Sequence, residues 1–188
     1  DVRFKDMNGD GVIDEDDKTY SGTGIAKVEA NLNLSASYKG FDFSAVIGSA
    51  FGNKIYNGIR YYYEGMNSAS NFLSSTLDAW TPTHTNTSVP RAIYGDPNDN
   101  TRESTRFLEN GDFVRLRQVQ LGYTLPTSLV KKIYCDRIRF YVSAENVFTI
   151  TGYSGANPEF SMGVLNSGID RFTYPFSRSY TVGAQVSF

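Results

Sequence analysis

The sequence is poor in the side chains that build most catalytic and metal centres. Its 188 residues include one cysteine, Cys135, and one histidine, His84. A single cysteine excludes an internal disulfide, and a single histidine excludes a metal site built on several histidines. Any serine–histidine–aspartate triad would depend on His84, which lies in a polar loop. We therefore expect that the protein is not an enzyme.

Long apolar runs and an excess of basic residues are also missing. No stretch approaches the roughly 20 apolar residues that a membrane-spanning helix needs. The net charge is -2 and no lysine–arginine cluster offsets it, which argues against a nucleic-acid partner. Neither shortage excludes a membrane β-barrel, because every second residue of its strands faces a polar lumen.

Alternation of apolar and polar residues is the dominant pattern. From Tyr180 to Phe188, apolar residues alternate with residues that are polar or glycine, which is the period of a strand with one apolar face. Similar segments of about ten residues, the length that a tilted strand needs to cross a membrane, lie at 28–38, 41–51, 113–125 and 137–148. The pattern predicts an all-β fold with five amphipathic strands.

Two architectures use such strands, a soluble β-sandwich and an antiparallel transmembrane β-barrel. The faces opposite the apolar ones carry Glu29, Asn31, Arg139 and Glu145. A dry sandwich core accepts such residues only with partners, whereas a water-filled lumen accepts them freely. Five strands cannot close a barrel, because the smallest barrels have about eight, and an open sheet would leave unpaired edges in lipid. We therefore predict a segment of a larger barrel.

The connections alternate in length. Residues 38–41 and 126–136 form short connections, whereas 52–112 and 149–174 are long and polar. Bacterial outer-membrane barrels have short periplasmic turns and long outer loops, so both long connections and residues 1–26 are expected outside the cell. On the last strand, the residues expected to face lipid are Val182, Ala184, Val186 and Phe188, and those expected to face the lumen are Gln185 and Ser187.

Residues 6–17 match the twelve-residue calcium loop of EF-hand proteins, with Gly11 at the sharp turn. The loop ends on aspartate rather than glutamate, as in dockerin-type loops, and it lacks convincing flanking helices. The expected ligands of a structural Ca2+ are Asp6, Asn8, Asp10, the carbonyl of Val12, Asp14 through a water molecule, and Asp17. The alternative that stays open is an acidic turn held by side-chain-to-backbone hydrogen bonds.

Several motifs, in their order along the chain, resemble the C-terminal part of the SusC/RagA-type TonB-dependent transporters. Together with the acidic loop they span nearly the whole chain. They include Leu32-Asn-Leu-Ser-Ala-Ser-Tyr-Lys-Gly-Phe-Asp42, Phe51-Gly-Asn-Lys-Ile-Tyr-Asn57, Leu121-Gly-Tyr-Thr-Leu-Pro126, Ala144-Glu-Asn-Val-Phe148, Asn157-Pro-Glu159 and Tyr174-Pro-Phe-Ser-Arg178.

The resemblance implies an outer-membrane barrel of about 22 strands, of a kind found in Bacteroidetes, whose N-terminal plug is absent here. Residues 1–188 would supply the last five strands, with 1–26 as an extracellular acidic loop and 27–188 as strands and loops. The resemblance also implies a SusD-like surface lipoprotein as a partner, TonB as the source of energy, and uptake of glycans or peptides.

A soluble, calcium-containing β-sandwich that binds carbohydrate is the competing interpretation. Its metal site would be the acidic loop, and its sugar-binding platform would be the aromatic residues of the first long connection. Those residues are Tyr61, Tyr62, Tyr63, Trp80 and Tyr94. They could equally pack the connection onto itself.

Overall fold

The computed structural model describes residues 1–66, 71–160, 163 and 166–188. The chain divides into two compact units. The first, here called the loop unit, comprises Asp1–Gly24, Lys54–Glu109 and Phe160–Thr173. The second, here called the sheet unit, comprises Ile25–Asn53, Asn110–Glu159 and Tyr174–Phe188.

The sheet unit is a five-stranded antiparallel sheet with the strand order β1-β2-β5-β6-β8. The strands are β1 (Val28–Tyr38), β2 (Phe41–Phe51), β5 (Phe113–Thr124), β6 (Arg137–Thr151) and β8 (Ser179–Ser187). All five predicted strands are confirmed, and β6 runs past its predicted end. The mostly antiparallel sheet, with few and short helices, agrees with the predicted all-β class.

The two short connections of this sheet have clear local causes. Lys39 and Gly40, between β1 and β2, both have positive φ angles (47° and 87°), as the tight turn of a two-residue hairpin requires. The connection from β5 to β6 holds a short helix, α2 (Thr127–Val130), and a 3-10 turn that ends at Tyr134, where φ is 56°. Beneath them, Val130, Cys135 and Ile138 form a small apolar core.

A β-bulge in β5 keeps the apolar residues on both sides of it on the same face of the sheet. Arg117 is an extra residue, because its neighbours Leu116 and Gln118 pair with Ile47 and Val46, which are adjacent in β2. Side chains alternate along a strand, so one extra residue shifts the alternation by one position. As a result, Leu116 lies on the same face as Val119 although their numbers have opposite parity.

The loop unit contains secondary structure that the sequence did not predict. The long connection 52–112, predicted only as a long polar segment, contributes two strands and a helix. The elements of this unit are β3 (Lys54–Asn57), α1 (Gly58–Glu64), β4 (Leu108–Asn110) and β7 (Ile169–Asp170), with 3-10 turns at Glu15–Asp17, Ser74–Asp78 and Thr105–Phe107. Strands of two to four residues are too short to show a period, which explains the miss.

Apolar packing holds the loop unit together. Ile55 on β3 and Phe107 are almost completely buried. The Phe107 ring meets the Tyr61 ring edge-on with centroids 5.4 Å apart, and Tyr61 in turn lies 6.0 Å from Tyr56. Among the described residues, none of the helices is long and apolar enough to cross a membrane.

Candidate functional site

The register of the sheet brings the apolar positions of all five strands onto one face, here called the apolar face. Three rows cross the sheet, namely Tyr38–Phe41–Tyr123–Phe140–Ala184, Ala36–Phe43–Leu121–Val142–Val182 and Leu34–Ala45–Val119–Ala144–Tyr180. Most of their large side chains are open to the surroundings, since Leu121 is 48% exposed and Val182 is 83% exposed, while Val119 and Tyr123 are half-buried. The expectation that Val182, Ala184 and Val186 share one face is confirmed.

The opposite face, here called the polar face, collects the polar positions in the same way. Two of its rows are Ser37–Asp42–Gly122–Tyr141–Gly183 and Ser35–Ser44–Gln120–Ser143–Thr181. The four charged or amide residues predicted for this face lie on it, and so do Gln185 and Ser187. Glycines and serines are common here, so long polar side chains lie flat across the neighbouring strands.

An ion pair on the polar face spans three strands. The Arg139 Nε donates to Asp42 Oδ1 at 2.8 Å, and Arg139 Nη2 also contacts Asp42. A further Arg139 nitrogen donates to Gln185 at 3.3 Å. The pair crosses β5 at Gly122, where a Cβ atom would overlap both charged groups. The absence of a side chain at Gly122 is therefore what lets β2 and β6 exchange this contact.

His84 and Cys135, the single histidine and the single cysteine, both have structural surroundings. His84 Nε2 and Asp78 Oδ1 are 2.7 Å apart in an exposed turn. The hydrogen bond with His84, followed by that from Thr87, holds the pKa of Asp78 below its ordinary value. Cys135 is buried in the small core of the sheet unit.

The acidic loop is closed by hydrogen bonds from its own backbone. Asp6 accepts from Gly9 N at 2.6 Å and from Gly11 N at 2.8 Å. Asp17 accepts from Met7 N at 2.6 Å and from Asp14 N at 2.9 Å. These two amides, Met7 first, lower the pKa of the Asp17 carboxyl. The structure therefore joins the two ends of the loop through Asp17.

The other predicted calcium ligands make short-range contacts of the same kind. Asn8 Oδ1 accepts from Asp10 N at 3.0 Å, Asp10 Oδ1 accepts from Val12 N at 2.8 Å, and Asp14 Oδ1 accepts from Asp16 N at 2.9 Å. In the part of the chain that the structure describes, no group of three or more His, Cys, Asp or Glu side chains is placed to hold a metal. The calcium site stays a prediction.

The aromatic residues of the first long connection divide into two groups. Tyr61 belongs to the packing around Phe107, while Tyr62 and Tyr63 both contact Phe172, with ring centroids 5.7 Å and 5.5 Å apart. Packing of the connection onto itself is therefore seen for Tyr61, whereas Tyr62 and Tyr63 contact the second long connection and stay 54% and 37% exposed. In contrast, Tyr94 is 94% exposed, so it is available for contact with another molecule.

A buried charge network in the loop unit was missed by sequence reasoning. Glu64 at the end of α1 pairs with Arg60 Nη2 at 2.9 Å and with Arg106 Nη2 at 3.4 Å. Arg60 also reaches Glu109 at 2.9 Å. Burial lowers the pKa of Arg106, and the Glu64 charge opposes this shift. Arg60 and Glu64 are four residues apart on α1, but the contacts with Glu109 and Arg106 join residues more than 40 positions apart, which no local pattern predicts.

Sequence comparison finds relatives that are TonB-dependent receptors. No family model matches it. The TonB-dependent receptor P3 of Formosa agariphila is 32% identical over 192 residues, which cover 98% of this chain and 19% of the relative. The TonB-dependent receptor SusC of Bacteroides thetaiotaomicron is 28% identical over 186 residues, which cover 98% of this chain and 17% of SusC. The chain thus spans about a fifth of the length of the curated relatives it matches.

Solved structures lead to the same family. A chain of the RagAB peptide transporter matches with a TM-score of 0.79 and 29% identity, covering 94% of this chain and 19% of that chain. The RagAB peptide importer in its closed-closed state gives a TM-score of 0.76 and 28% identity over 95% of this chain and 20% of that chain. The resemblance predicted from the motifs is therefore confirmed, and over nearly its whole length the chain corresponds in sequence and backbone to a segment of the SusC/RagA-type TonB-dependent transporters.

Proposed function

We propose that this chain forms five adjacent strands in the wall of an outer-membrane importer. Its apolar face lies against lipid, and its polar face lines the water-filled passage. The observation that carries this proposal is the alignment of exposed apolar rows across all five strands, which is the arrangement of a barrel wall. The outer edges of β1 and β8 pair with further strands, in a barrel of about 22.

The soluble β-sandwich is not favoured. A sandwich packs the apolar faces of two sheets against each other. On the apolar face of this sheet, however, Val142 in the middle of a row is still 49% exposed. The relatives are TonB-dependent receptors, which are transporters rather than enzymes.

For the whole protein, we propose uptake of a peptide or an oligosaccharide across the outer membrane. The likeness to the RagAB peptide importer supports a peptide. TonB supplies the energy, and a SusD-like surface lipoprotein docks on the outer loops, including 52–112 and 149–174. These loops lie on the extracellular side, because the short connections at 38–41 and 126–136 mark the periplasmic side.

Uptake by cells tests this function directly. The full-length transporter is produced with and without TonB, and the cells receive either a mixture of fluorescent peptides or a mixture of fluorescent oligosaccharides. We expect uptake of one mixture, and we expect it to disappear without TonB. Equal fluorescence in the two strains would contradict the proposal, as would full extraction of the protein into buffer without detergent.

We also propose that residues 6–17 hold one structural Ca2+. The loop is rich in oxygen donors, and Asp17 already draws its ends together through Met7 and Asp14. A carboxylate oxygen that accepts one hydrogen bond keeps a lone pair for a cation. When bound, Ca2+ would cross-link the loop.

Calorimetry of the full-length protein with Ca2+ tests this site. Asp6→Asn and Asp17→Asn should weaken binding, whereas Asp16→Asn, which removes a charge outside the predicted ligand set, should not. A protein that takes up no Ca2+ at millimolar concentration, the weak end of the range for extracellular sites, would leave the acidic turn as the explanation.

A further inference from the structure

Arg115 is a buried charge on the polar face, near the start of β5, at the side of the sheet where the long connections leave it. It pairs in register with Gly48 on one side and Thr149 on the other. Only 4% of it is exposed. A buried guanidinium is costly unless its donors are satisfied, so its partners show what this position is for.

Three hydrogen-bonding partners and two rings, those of Phe113 at 5.7 Å and Phe176, surround the Arg115 guanidinium. Its Nε donates to Thr149 Oγ1 at 2.9 Å, its Nη2 donates to Asn157 Oδ1 at 2.5 Å, and its Nη1 lies 3.0 Å from Glu159 Oε2. The Phe176 ring centroid is 4.6 Å from the guanidinium carbon, within range of a cation–π contact.

These partners come from both ends of one connection. Asn157 and Glu159 follow the end of β6, and Phe176 lies just before the start of β8. The fork of a guanidinium has five donors in a fixed plane, which allows it to hold several groups in one geometry. Both ends of the connection therefore converge on a single side chain of β5.

The first part of this connection, residues 153–159, is itself a compact structure, here called the strap. Tyr153 and Asn157 are buried, and Gly155 lies so close to the Tyr153 ring that a Cβ atom would overlap it. Within the strap, Glu159 N donates to Asn157 Oδ1 at 3.1 Å. A second arginine, Arg117, binds the Glu159 carboxylate at 2.8 Å from a more exposed position.

We propose that Arg115 is a positioning residue that fixes the strap over the polar face, and that the fixed strap narrows the outer entrance of the passage. The first half stands on the contacts of Arg115 alone. The second half rests on the proposed function, because it takes the polar face as the lining of the passage.

A spin label on the strap tests the first half. Ala156 is exposed, so the label is attached to Ala156→Cys in the full-length protein, with Cys135→Ser to remove the native thiol. We expect an immobilised spectrum, a mobile one after Arg115→Gln, and no change after the matched control Arg117→Gln, which leaves the buried contacts intact. An immobilised label after Arg115→Gln would overturn the assignment.

A second variant keeps the test decisive if Arg115→Gln fails to assemble. Glu159→Gln removes the ionic partner of Arg115 from the strap side, and because Arg117 binds the same carboxylate, it is compared with Arg117→Gln, which removes that second contact alone. A mobile label in this variant supports the assignment, and an immobile one overturns it.

The second half is tested by the uptake of long and short fluorescent peptides. Releasing the strap should raise uptake of long peptides relative to short ones by severalfold in Arg115→Gln and leave the ratio unchanged in Arg117→Gln. An unchanged ratio in Arg115→Gln would refute the narrowing role. If the unsubstituted protein imports no peptide of either length, peptide import itself fails, and the spin-label result still decides the role of Arg115.

Discussion

The loop unit and the sheet unit differ in where they place their large apolar side chains. In the loop unit, Ile55 and Phe107 are inside, and each is 1% exposed. In the sheet unit, arginines such as Arg115 and Arg139 are buried, while the large apolar side chains on the other face are open. The loop unit therefore follows the rule of water-soluble proteins, and the sheet unit inverts it.

The difference indicates that the two units are adapted to different solvents. Leaving a large apolar side chain in water forgoes roughly 1.5–3 kcal/mol, and the sheet does this in every row of its apolar face. Such a sheet is stable only where that face meets another apolar medium, whereas the loop unit needs no such medium. Four predictions test the contrast.

The largest effect is expected from removing the core of the loop unit. Phe107→Ala should lower the free energy of unfolding of this unit by about 3–5 kcal/mol, because it leaves a cavity beside the rings of Tyr56 and Tyr61. Tyr94→Ala, at an exposed position, should change it by at most about 0.5 kcal/mol. Hydrogen exchange of the β3 amides measures both. Similar effects of the two variants would mean that the unit has no apolar core.

The second prediction introduces an arginine on either face of the same strand, β6. Val142→Arg places a charge on the apolar face and should cost about 2–4 kcal/mol at the middle of a bilayer. Ser143→Arg, on the polar face, should cost less than about 1 kcal/mol. Reversible unfolding of the full-length protein in lipid vesicles gives both values. Equal costs would show that the apolar face does not meet lipid.

The third prediction concerns the ion pair that crosses Gly122. Gly122→Ala adds a Cβ atom where Asp42 and Arg139 now meet, so we expect a loss of about 1–3 kcal/mol from overpacking. Gly152→Ala is the matched control, because no atom lies within 4 Å of the added group. The same vesicle assay applies, and a neutral Gly122→Ala would mean that the pair moves aside freely.

The smallest effect is expected from acid on the exposed acidic loop. The pKa of Asp17 is below its ordinary value of 3.8, so its contribution to the folded loop is fully present above that pH. It is lost as the pH falls through the lower folded pKa. Hydrogen exchange of residues 6–17, corrected for the intrinsic rate, should show weaker protection at pH 3 than at pH 6, with β6 as the unchanged reference. Equal protection at the two pH values would show that the ionised Asp17 carboxyl does not stabilise the loop.

The strands and their faces could be predicted because both follow from a period of two. The turn at Lys39 and Gly40 was equally local. The bulge in β5 was missed, although the sequence carries its signal. Arg117 and Gln118 are two adjacent polar residues in an otherwise alternating segment, and such a doublet is what an extra residue produces.

The partners of Arg115 and Arg139 could not be predicted, because they lie far along the chain. Arg115 is 42 residues from Asn157, and Arg139 is 97 residues from Asp42. Sequence spacing alone gives no reason to join such pairs. In the acidic loop, the residues that form hydrogen bonds could be predicted, since Asp and Asn side chains bind nearby backbone amides where the chain turns.

The extra residue at Arg117 makes the length of β5 as important as its composition. Deleting one residue there would leave the chemistry of the strand nearly unchanged, yet it would turn Val114 and Leu116 to the polar face and Arg115 towards the apolar one. The number of residues in the strand thus decides which face each side chain joins. A single deletion in it is therefore a more severe change than most substitutions.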